Sequence, residues 1–179
     1  MEHLESQNII LRSLEPSDIN SLLRWENNPE NWIIGTRTIP YSKHELTRYI
    51  EESGSDFWDT NQTRFAITLK TSDSVVGVID VFNANSLHLR AEVGILIDPA
   101  YRRKGFAVES LNIIQKWCHE WAMIRSLMVY IYSDHVASKN TFLSAGFQRV
   151  GELKSWIRTS AGWKDVDIFQ WYSIEKNEE

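Results

Sequence analysis

The sequence predicts one mixed α/β domain built on a single central sheet. Three observations lead there. The chain has 179 residues, which suits one domain with an ample core. Two-residue apolar alternation and helical spacing succeed one another along its whole length. No internal repeat or low-complexity linker divides it.

Asn8 to Leu14 alternates and reads as a first strand. Glu15-Pro16-Ser17-Asp18 starts a helix, with proline favoured early and acids favoured near the positive end. Ile19, Leu22, Leu23 and Trp25 follow it at helical spacing, and Asn27-Asn28-Pro29 breaks it. Ser42 and Glu45 form the pattern of a capping box for a second helix running to about Glu52. Arg64 to Leu69 and Val75 to Phe82 are strands joined by the polar turn Thr71-Ser72-Asp73-Ser74. A fourth strand, Ala91 to Ile97, ends at Asp98-Pro99. Ala107, Leu111, Ile114, Cys118 and Trp121 mark a third helix, with Trp117, Cys118 and Trp121 assigned to the core. Leu127 to Tyr132 is a fifth strand, and Val136 to Ser144 a short helix closed by Gly146. Phe147 to Ile157 and Val166 to Ile174 form a last antiparallel pair, turning at Ser160-Ala161-Gly162. The sum is seven strands and four helices.

Composition narrows the function. The eight tryptophans and ordinary charged fraction describe a globular chain. A formal net charge of -5 argues against a general nucleic-acid binder, yet an acidic surface attracts amines. Cys118 is the one cysteine, so no intramolecular disulfide and no cysteine-rich metal site are expected. The five histidines are scattered, and no metal is expected. The opening Met1-Glu2-His3-Leu4-Glu5 lacks a basic-then-apolar leader, and no stretch has the ~18 apolar residues of a membrane span. The expectation is a cytoplasmic protein, not bound to membrane, with homo-oligomerisation left open.

One segment carries a chemical signal. In Ile97-Asp98-Pro99-Ala100-Tyr101-Arg102-Arg103-Lys104-Gly105-Phe106-Ala107 a strand ends at a proline, three cations follow, and a glycine opens a helix. The first turn of a helix has free N–H groups and a partial positive charge, so it binds phosphate. Gly105 and the small Ala107 let a pyrophosphate approach the backbone, and no acid lies between Pro99 and Val108. A solvated basic loop capping a core helix is the plain alternative. The phosphate signatures of nucleoside-triphosphate and dinucleotide folds are missing, as is a Gly-x-Ser-x-Gly elbow.

Arg102-x-x-Gly105-x-Ala107, set between a strand and a helix, resembles the acetyl-CoA loop of the GNAT N-acetyltransferase superfamily. Ala137-Ser138 followed by Ala145-Gly146-Phe147 is similar to the second cofactor motif of its ribosomal-protein N-acetyltransferase branch. Gly162-Trp163-Lys164-Asp165-Val166 resembles that branch and the spermidine acetyltransferases, and Gly77-Val78-Ile79-Asp80 through Arg90-Ala91-Glu92 resembles the spermidine enzymes. The resemblance implies a twisted, mostly antiparallel sheet whose fourth and fifth strands splay apart. It implies acetyl-CoA as co-substrate, with main-chain groups at Ile95, Leu96 and Ile97 pairing with pantetheine. It gives the pyrophosphate to Arg102, Arg103, Lys104, Gly105, Phe106 and Ala107, with further cofactor contacts from Ser138 and from His135, which stands where the family usually has asparagine. Phe142 occupies the position of the tyrosine often taken as general acid, and phenylalanine has no proton to give.

Acetyl transfer requires an amine to lose a proton before it attacks a thioester. A lysine-like amine has a pKa of about 10.4 and an α-amine about 8, so a base helps. Glu92 on the fourth strand is the first candidate, with Asp80 second. The departing thiolate, with a thiol pKa of about 8.5, needs less help, and Ser138, Tyr132 or water could protonate it. Trp32, Trp58 and Tyr41 precede the second strand, where an acceptor pocket or plain packing would use them. Glu109 reads as an ordinary helix residue. The leading function is N-acetylation of a primary amine of a small molecule or peptide. Polyamine acetylation is the runner-up, weakened because Gly35 to Tyr41 contains one arginine and no acid. N-terminal acetylation of a protein is another reading. Phe142 suggests one from a different class, a non-catalytic acetyl-CoA-binding module.

Overall fold

The computed structural model describes residues 4–32 and 39–173, without the side chains of Glu30 and Trp32. Its strands are β1 (Ile9–Ser13), β2 (Thr63–Leu69), β3 (Val75–Asn85), β4 (Arg90–Ile97), β5 (Ser126–Tyr132), β6 (Gln148–Thr159) and β7 (Gly162–Tyr172). Four helices have eight or more residues: α1 (Ile19–Glu26), α3 (Lys43–Glu52), α5 (Phe106–Glu120) and α6 (Val136–Ser144). Single turns α2 (Pro29–Trp32) and α4 (Phe57–Thr60) complete the set among the described residues. The sheet order is β1-β2-β3-β4-β5-β7-β6. Every neighbouring pair is antiparallel except β4 with β5. None of the described helices is long and apolar enough to cross a membrane.

The sheet is covered on both faces, as the nearly continuous burial of β2 requires. On one face Leu111, Ile114 and Cys118 of α5 pack with Ala91, Val93, Leu127, Val129 and Ile131. On the other, Leu22 and Trp25 of α1 and Leu46 and Ile50 of α3 pack on Ala66 and Val78. Burial pushes the Cys118 thiol far above its ordinary pKa, so it stays protonated and inert. The ends obey local rules. Ser42 Oγ accepts from the Glu45 N–H at 3.1 Å while Glu45 accepts from the Ser42 N–H at 2.8 Å. Gly146, at φ 83°, closes α6 with paired bonds, its N–H to Leu143 O and the Phe147 N–H to Phe142 O, both 3.0 Å.

Several boundaries differ from the sequence reading. Strand β3 continues past Phe82 to Asn85 through a bulge at which Asn83 takes φ 51°. The Glu15 to Asp18 segment forms a single 3-10 turn before α1. The last hairpin turns more tightly than expected, with β7 starting at Gly162, and Ile174 lies outside the described residues. Trp121 is not core: it follows the last turn of α5 and is 59% exposed. Val136 and Leu143 of α6 are also exposed, at 61% and 50%, whereas Phe142 and Phe147 are buried.

Two buried carboxylates tie elements together. Asp18 accepts two bonds from Arg12, at 2.7 and 2.9 Å, and one from the Glu15 N–H at 2.8 Å. Asp167 of β7 accepts from Arg149 at 2.7 and 3.0 Å and from Lys139 of α6 at 3.2 Å. Burial alone would raise both carboxyl pKa values, but the bonds outweigh it and hold both below the ordinary value. A depressed folded-state pKa gives stability that is present above the ordinary carboxylate value, about 4, and lost as pH falls through the folded value. We expect the urea midpoint, followed by tryptophan fluorescence, to drop below about pH 4. Asp167→Asn should lower stability at pH 7 and flatten that acid slope. A variant with the full wild-type slope removes Asp167 from this account.

Candidate active site

Strands β4 and β5 pair over only three residues, Arg90, Ala91 and Glu92 with Ser126, Leu127 and Met128. Beyond them the strands part. β4 stays on β3 as far as Ile97 opposite Gly77, and β5 stays on β7 as far as Tyr132 opposite Val166. A wedge therefore opens toward the carboxyl ends of both strands. The five residues Val93 to Ile97 give it an edge of roughly 16 Å, at about 3.3 Å per residue. The Asp98 N–H donates to Val76 O at 2.9 Å, and a Cβ on Gly77 would lie 2.2 Å from the Leu96 carbonyl oxygen. Leu96 thus turns its carbonyl to β3. Peptide groups alternate along a strand, so those of Ile95 and Ile97 border the wedge. Of the three residues assigned to pantetheine, the first and third have main-chain groups there.

The loop after β4 is fixed at its root. Asp98 Oδ2 accepts from Arg24 Nη2 at 2.7 Å and Trp25 Nε1 at 2.8 Å, and Oδ1 from the Ala100 N–H at 3.0 Å. Burial would raise this carboxyl, but those donors hold it below its ordinary pKa. Asp98 therefore stays ionised and couples α1 to the loop. Arg103 at φ 65° and Gly105 at φ 86° then bend the chain into α5. Gly105 is the N-cap of α5 and offers no side chain to the first-turn N–H groups, which are left for a ligand or water. Arg102, Arg103 and Lys104 are exposed around it. Arg102 Nε donates to Ile97 O at 3.0 Å, and Lys104 Nζ lies 5.0 Å from the centre of the Tyr101 ring. Glu109 is also in this first turn, but its carboxylate is taken by Ser6 Oγ at 2.6 Å and Asn8 Nδ2 at 2.8 Å. It anchors the segment before β1, a role beyond the ordinary helix residue the sequence suggested.

Across the wedge, His135 caps α6, its Nδ1 accepting from the Ser138 N–H at 3.2 Å. Ser138 is half-buried in the first turn of that helix. Lys139 Nζ donates to Ser133 O at 2.5 Å and so ties α6 to the end of β5. Tyr132 is buried there, and burial and Asp134 raise its hydroxyl pKa. Phe142 is 2% exposed and meets Phe147 edge-on, ring centres 5.0 Å apart at 89°.

The two faces of the wedge differ. Val93, Val129 and Ile131 are buried under α5 and close one side. Glu92 and Gly94 lie on the other. Glu92 accepts from Asn83 Nδ2 at 3.1 Å and lines a shallow pocket with Arg90, Ser126, Met128 and Gln170, where β4 and β5 still touch. Asp80 pairs across β3 with Gly94 and is gripped by Arg64, Nε on Oδ1 and Nη2 on Oδ2 at 3.1 Å. Arg64 Nη1 also reaches Glu26 Oε1 at 2.6 Å. The sequence reading missed Arg64 and Glu26; the available signal was a lone cation opening an apolar strand. Trp58 packs edge-on against Phe57, and Tyr41 packs beside the α1–α3 core, while the side chain of Trp32 lies outside the described residues.

Residues 8–148 match the family model of the acetyltransferase (GNAT) domain. The chain belongs to that family. It is 24% identical over 177 residues to the uncharacterized N-acetyltransferase YoaA of Bacillus subtilis (strain 168), covering 98% of each chain. It is 21% identical to the spermidine N(1)-acetyltransferase of Vibrio cholerae, covering 88% of this chain and 89% of that one. Among solved structures, spermidine N-acetyltransferase from Vibrio cholerae in complex with CoA and spermine superposes with a TM-score of 0.82. It has 19% sequence identity and covers 93% of this chain and 96% of that one. The splayed fourth and fifth strands of this GNAT fold are the ones the sequence led us to expect. The enzyme is an N-acetyltransferase whose co-substrate, acetyl-CoA, supplies an acetyl thioester. An uncapped helix start ringed by cations, and an unpaired strand edge leading away from it, suit a polyanionic molecule with an extended amide-bearing arm.

In this GNAT enzyme the ring at position 142 is buried in the core against Phe147. A tyrosine there would bury its hydroxyl among apolar rings. We expect Phe142→Tyr to cost about 1–3 kcal/mol in a urea titration, the usual cost of an unpartnered buried hydroxyl. It should not accelerate thiol release. A faster variant would return the general-acid role to this position.

Proposed function

We propose that this enzyme acetylates a primary amine of a small molecule or peptide, with acetyl-CoA held in the wedge between β4 and β5. The observation that carries the reading is the parting of these strands next to the uncapped, cation-ringed start of α5. The pyrophosphate binds main-chain N–H groups from Arg103 to Ala107, with Arg102 and Lys104 adding charge. The pantetheine arm runs along the Ile95 and Ile97 edge, bringing the thioester near Val93 and Gly94. Ser138 contacts the cofactor from α6, with His135 holding that helix start. Because the α5 side is filled, the amine arrives from the face bearing Glu92. Glu92 takes the proton from the ammonium, directly or through water. The new C–N bond forms, the C–S bond breaks, the nitrogen releases its second proton to solvent, and the thiolate gains a proton from solvent, directly or through Ser138 or Tyr132.

A second reading, polyamine acetylation, is favoured by the likeness to the Vibrio cholerae spermidine enzyme. The lack of acids from Gly35 to Tyr41 weighs against it, since a polycation needs counter-charges. A panel of amines, polyamines and peptides with free N-termini, read by thiol release, separates the two. Transfer to no amine, with acetyl-CoA still bound tightly, would leave the binding-module reading instead.

Two variants test the mechanism. Gly105→Glu places a carboxylate in the phosphate cradle and forces a side chain onto φ 86°. It should abolish acetyl-CoA binding by calorimetry while circular dichroism stays native, and an unchanged affinity rejects the site. Glu92→Gln should slow transfer by about 10²-fold near neutral pH, the typical worth of a general base. The deficit should shrink at high pH, where the amine deprotonates unaided. A pH–rate profile identical to wild type removes Glu92 as base.

A further inference from the structure

Arg64, the second residue of β2, sits directly opposite Asp80 of β3 and makes three charge-assisted contacts, two to Asp80 and one to Glu26 at the end of α1. The ring of Tyr49 lies 5.4 Å from its guanidinium carbon. Burial works against its charge, yet the carboxylates, Asp80 foremost, hold its pKa well above the ordinary value. The three charged side chains are not sealed in the core. Arg64 is 19% exposed, Asp80 21% and Glu26 22%. Two carboxylates against one guanidinium leave one net negative charge on the sheet face from which the amine arrives.

Position 94 links this group to the wedge. A methyl placed on Gly94 would lie 3.9 Å from Asp80 Oδ2 and 3.5 Å from the Phe82 ring. With glycine there, the Asp80 carboxylate and the Phe82 ring both border the part of β4 assigned to the thioester. Each carboxylate oxygen accepts more than one hydrogen bond, so the Arg64 contacts leave Asp80 able to accept from an ammonium. The two parallel N–H groups of Arg64 fix the plane of that carboxylate, a geometry a lysine cannot reproduce.

We propose that Arg64 is a positioning residue of the transfer reaction, holding Asp80 as a fixed anionic anchor for the incoming ammonium while Glu92 takes its proton. The proposal rests on the wedge reading given above. Asp80 is then an orienting group, which separates two carboxylates that the sequence alone offered for the same task.

The test uses two CoA thioethers and needs no knowledge of the natural acceptor. S-(3-aminopropyl)-CoA carries an ammonium a short chain beyond sulfur, and S-propyl-CoA lacks it. Calorimetry at pH 7 should show wild type binding the ammonium probe at least about tenfold more tightly, a margin of about 1.4 kcal/mol. Asp80→Asn should erase the margin and Arg64→Lys should cut it at least threefold, both with S-propyl-CoA affinity kept within twofold. Gly94→Ala, whose methyl meets only ordinary contact distances, should also shrink the margin, and it reads the anchor even if Asp80→Asn does not fold. No wild-type margin, a margin that survives in Arg64→Lys and Gly94→Ala, or equal loss of both probes overturns the proposal. Wild-type failure to bind either probe sinks the wedge reading itself, and this proposal with it.

Discussion

A sheet that comes apart in its middle leaves main-chain N–H and C=O groups without strand partners, and such groups are costly unless something pairs with them. That constraint shapes this protein. Three residues of parallel pairing hold β4 to β5, and beyond Glu92 and Met128 each strand depends on its other neighbour. Gly77 lets β3 and β4 approach closely enough to hold the free stretch, since a Cβ there would strike the Leu96 carbonyl. On the far side, Lys139 and Arg149 converge on Asp167 and fasten α6 and β6 to β7. The wedge is kept open by bonds on its outer flanks, leaving its inner edge available to water or a ligand.

Charge follows the same division. The protein is net acidic, yet the chain from Pro99 to Val108 has three cations and no acid. The nearby acids are held by donors, although Glu109 Oε1 lies 4.0 Å from where a Gly105 Cβ would sit. Asp98 is turned to Arg24, Trp25 and the Ala100 N–H, and Glu109 to Ser6 and Asn8. Ser6 and Asn8 occupy the Glu109 carboxylate, and three exposed cations outnumber it at the positive end of α5, which suits a polyanion. The face beyond Gly94 has the opposite bias, with Asp80, Glu26 and Glu92 outnumbering Arg64 and Arg90. A polyanionic donor and a cationic acceptor can thus approach the same strand from differently charged sides.

Legibility in the sequence followed locality. The phosphate-cradle segment could be read because its cations, its glycine and its helix start are consecutive. The Ser42–Glu45 cap and the Gly146 stop were legible for the same reason. The β3 end was not, because Asn83 continues the strand through a bulge that no alternation pattern encodes. Trp121 kept helical spacing but fell just after the last turn, where spacing no longer implies burial. Arg64, Asp80 and Glu26 are separated by 16 and 38 residues in sequence, and only the antiparallel register of β2 on β3 and the packing of α1 bring them together. Asp80 could be nominated from a motif; its guanidinium partner could not.

Phe142 shows how a missing functional group and a structural role can share one position. Its ring fills the junction of α6 with the sheet, edge-on to Phe147, directly above the Schellman closure at Gly146. A tyrosine hydroxyl there would be carried into a position that is 2% exposed. The thioester makes this tolerable, because a thiolate whose conjugate acid has a pKa of about 8.5 leaves near neutral pH without a proton already in place. The amine is the demanding partner, since an alkyl ammonium with a pKa of about 10.4 holds its proton through the same range. In the proposed mechanism the carboxylates beside Gly94 therefore matter more than any acid near sulfur. That asymmetry fits the proposed site, with a buried phenylalanine at position 142 and the Arg64, Asp80 and Glu26 cluster beside Gly94.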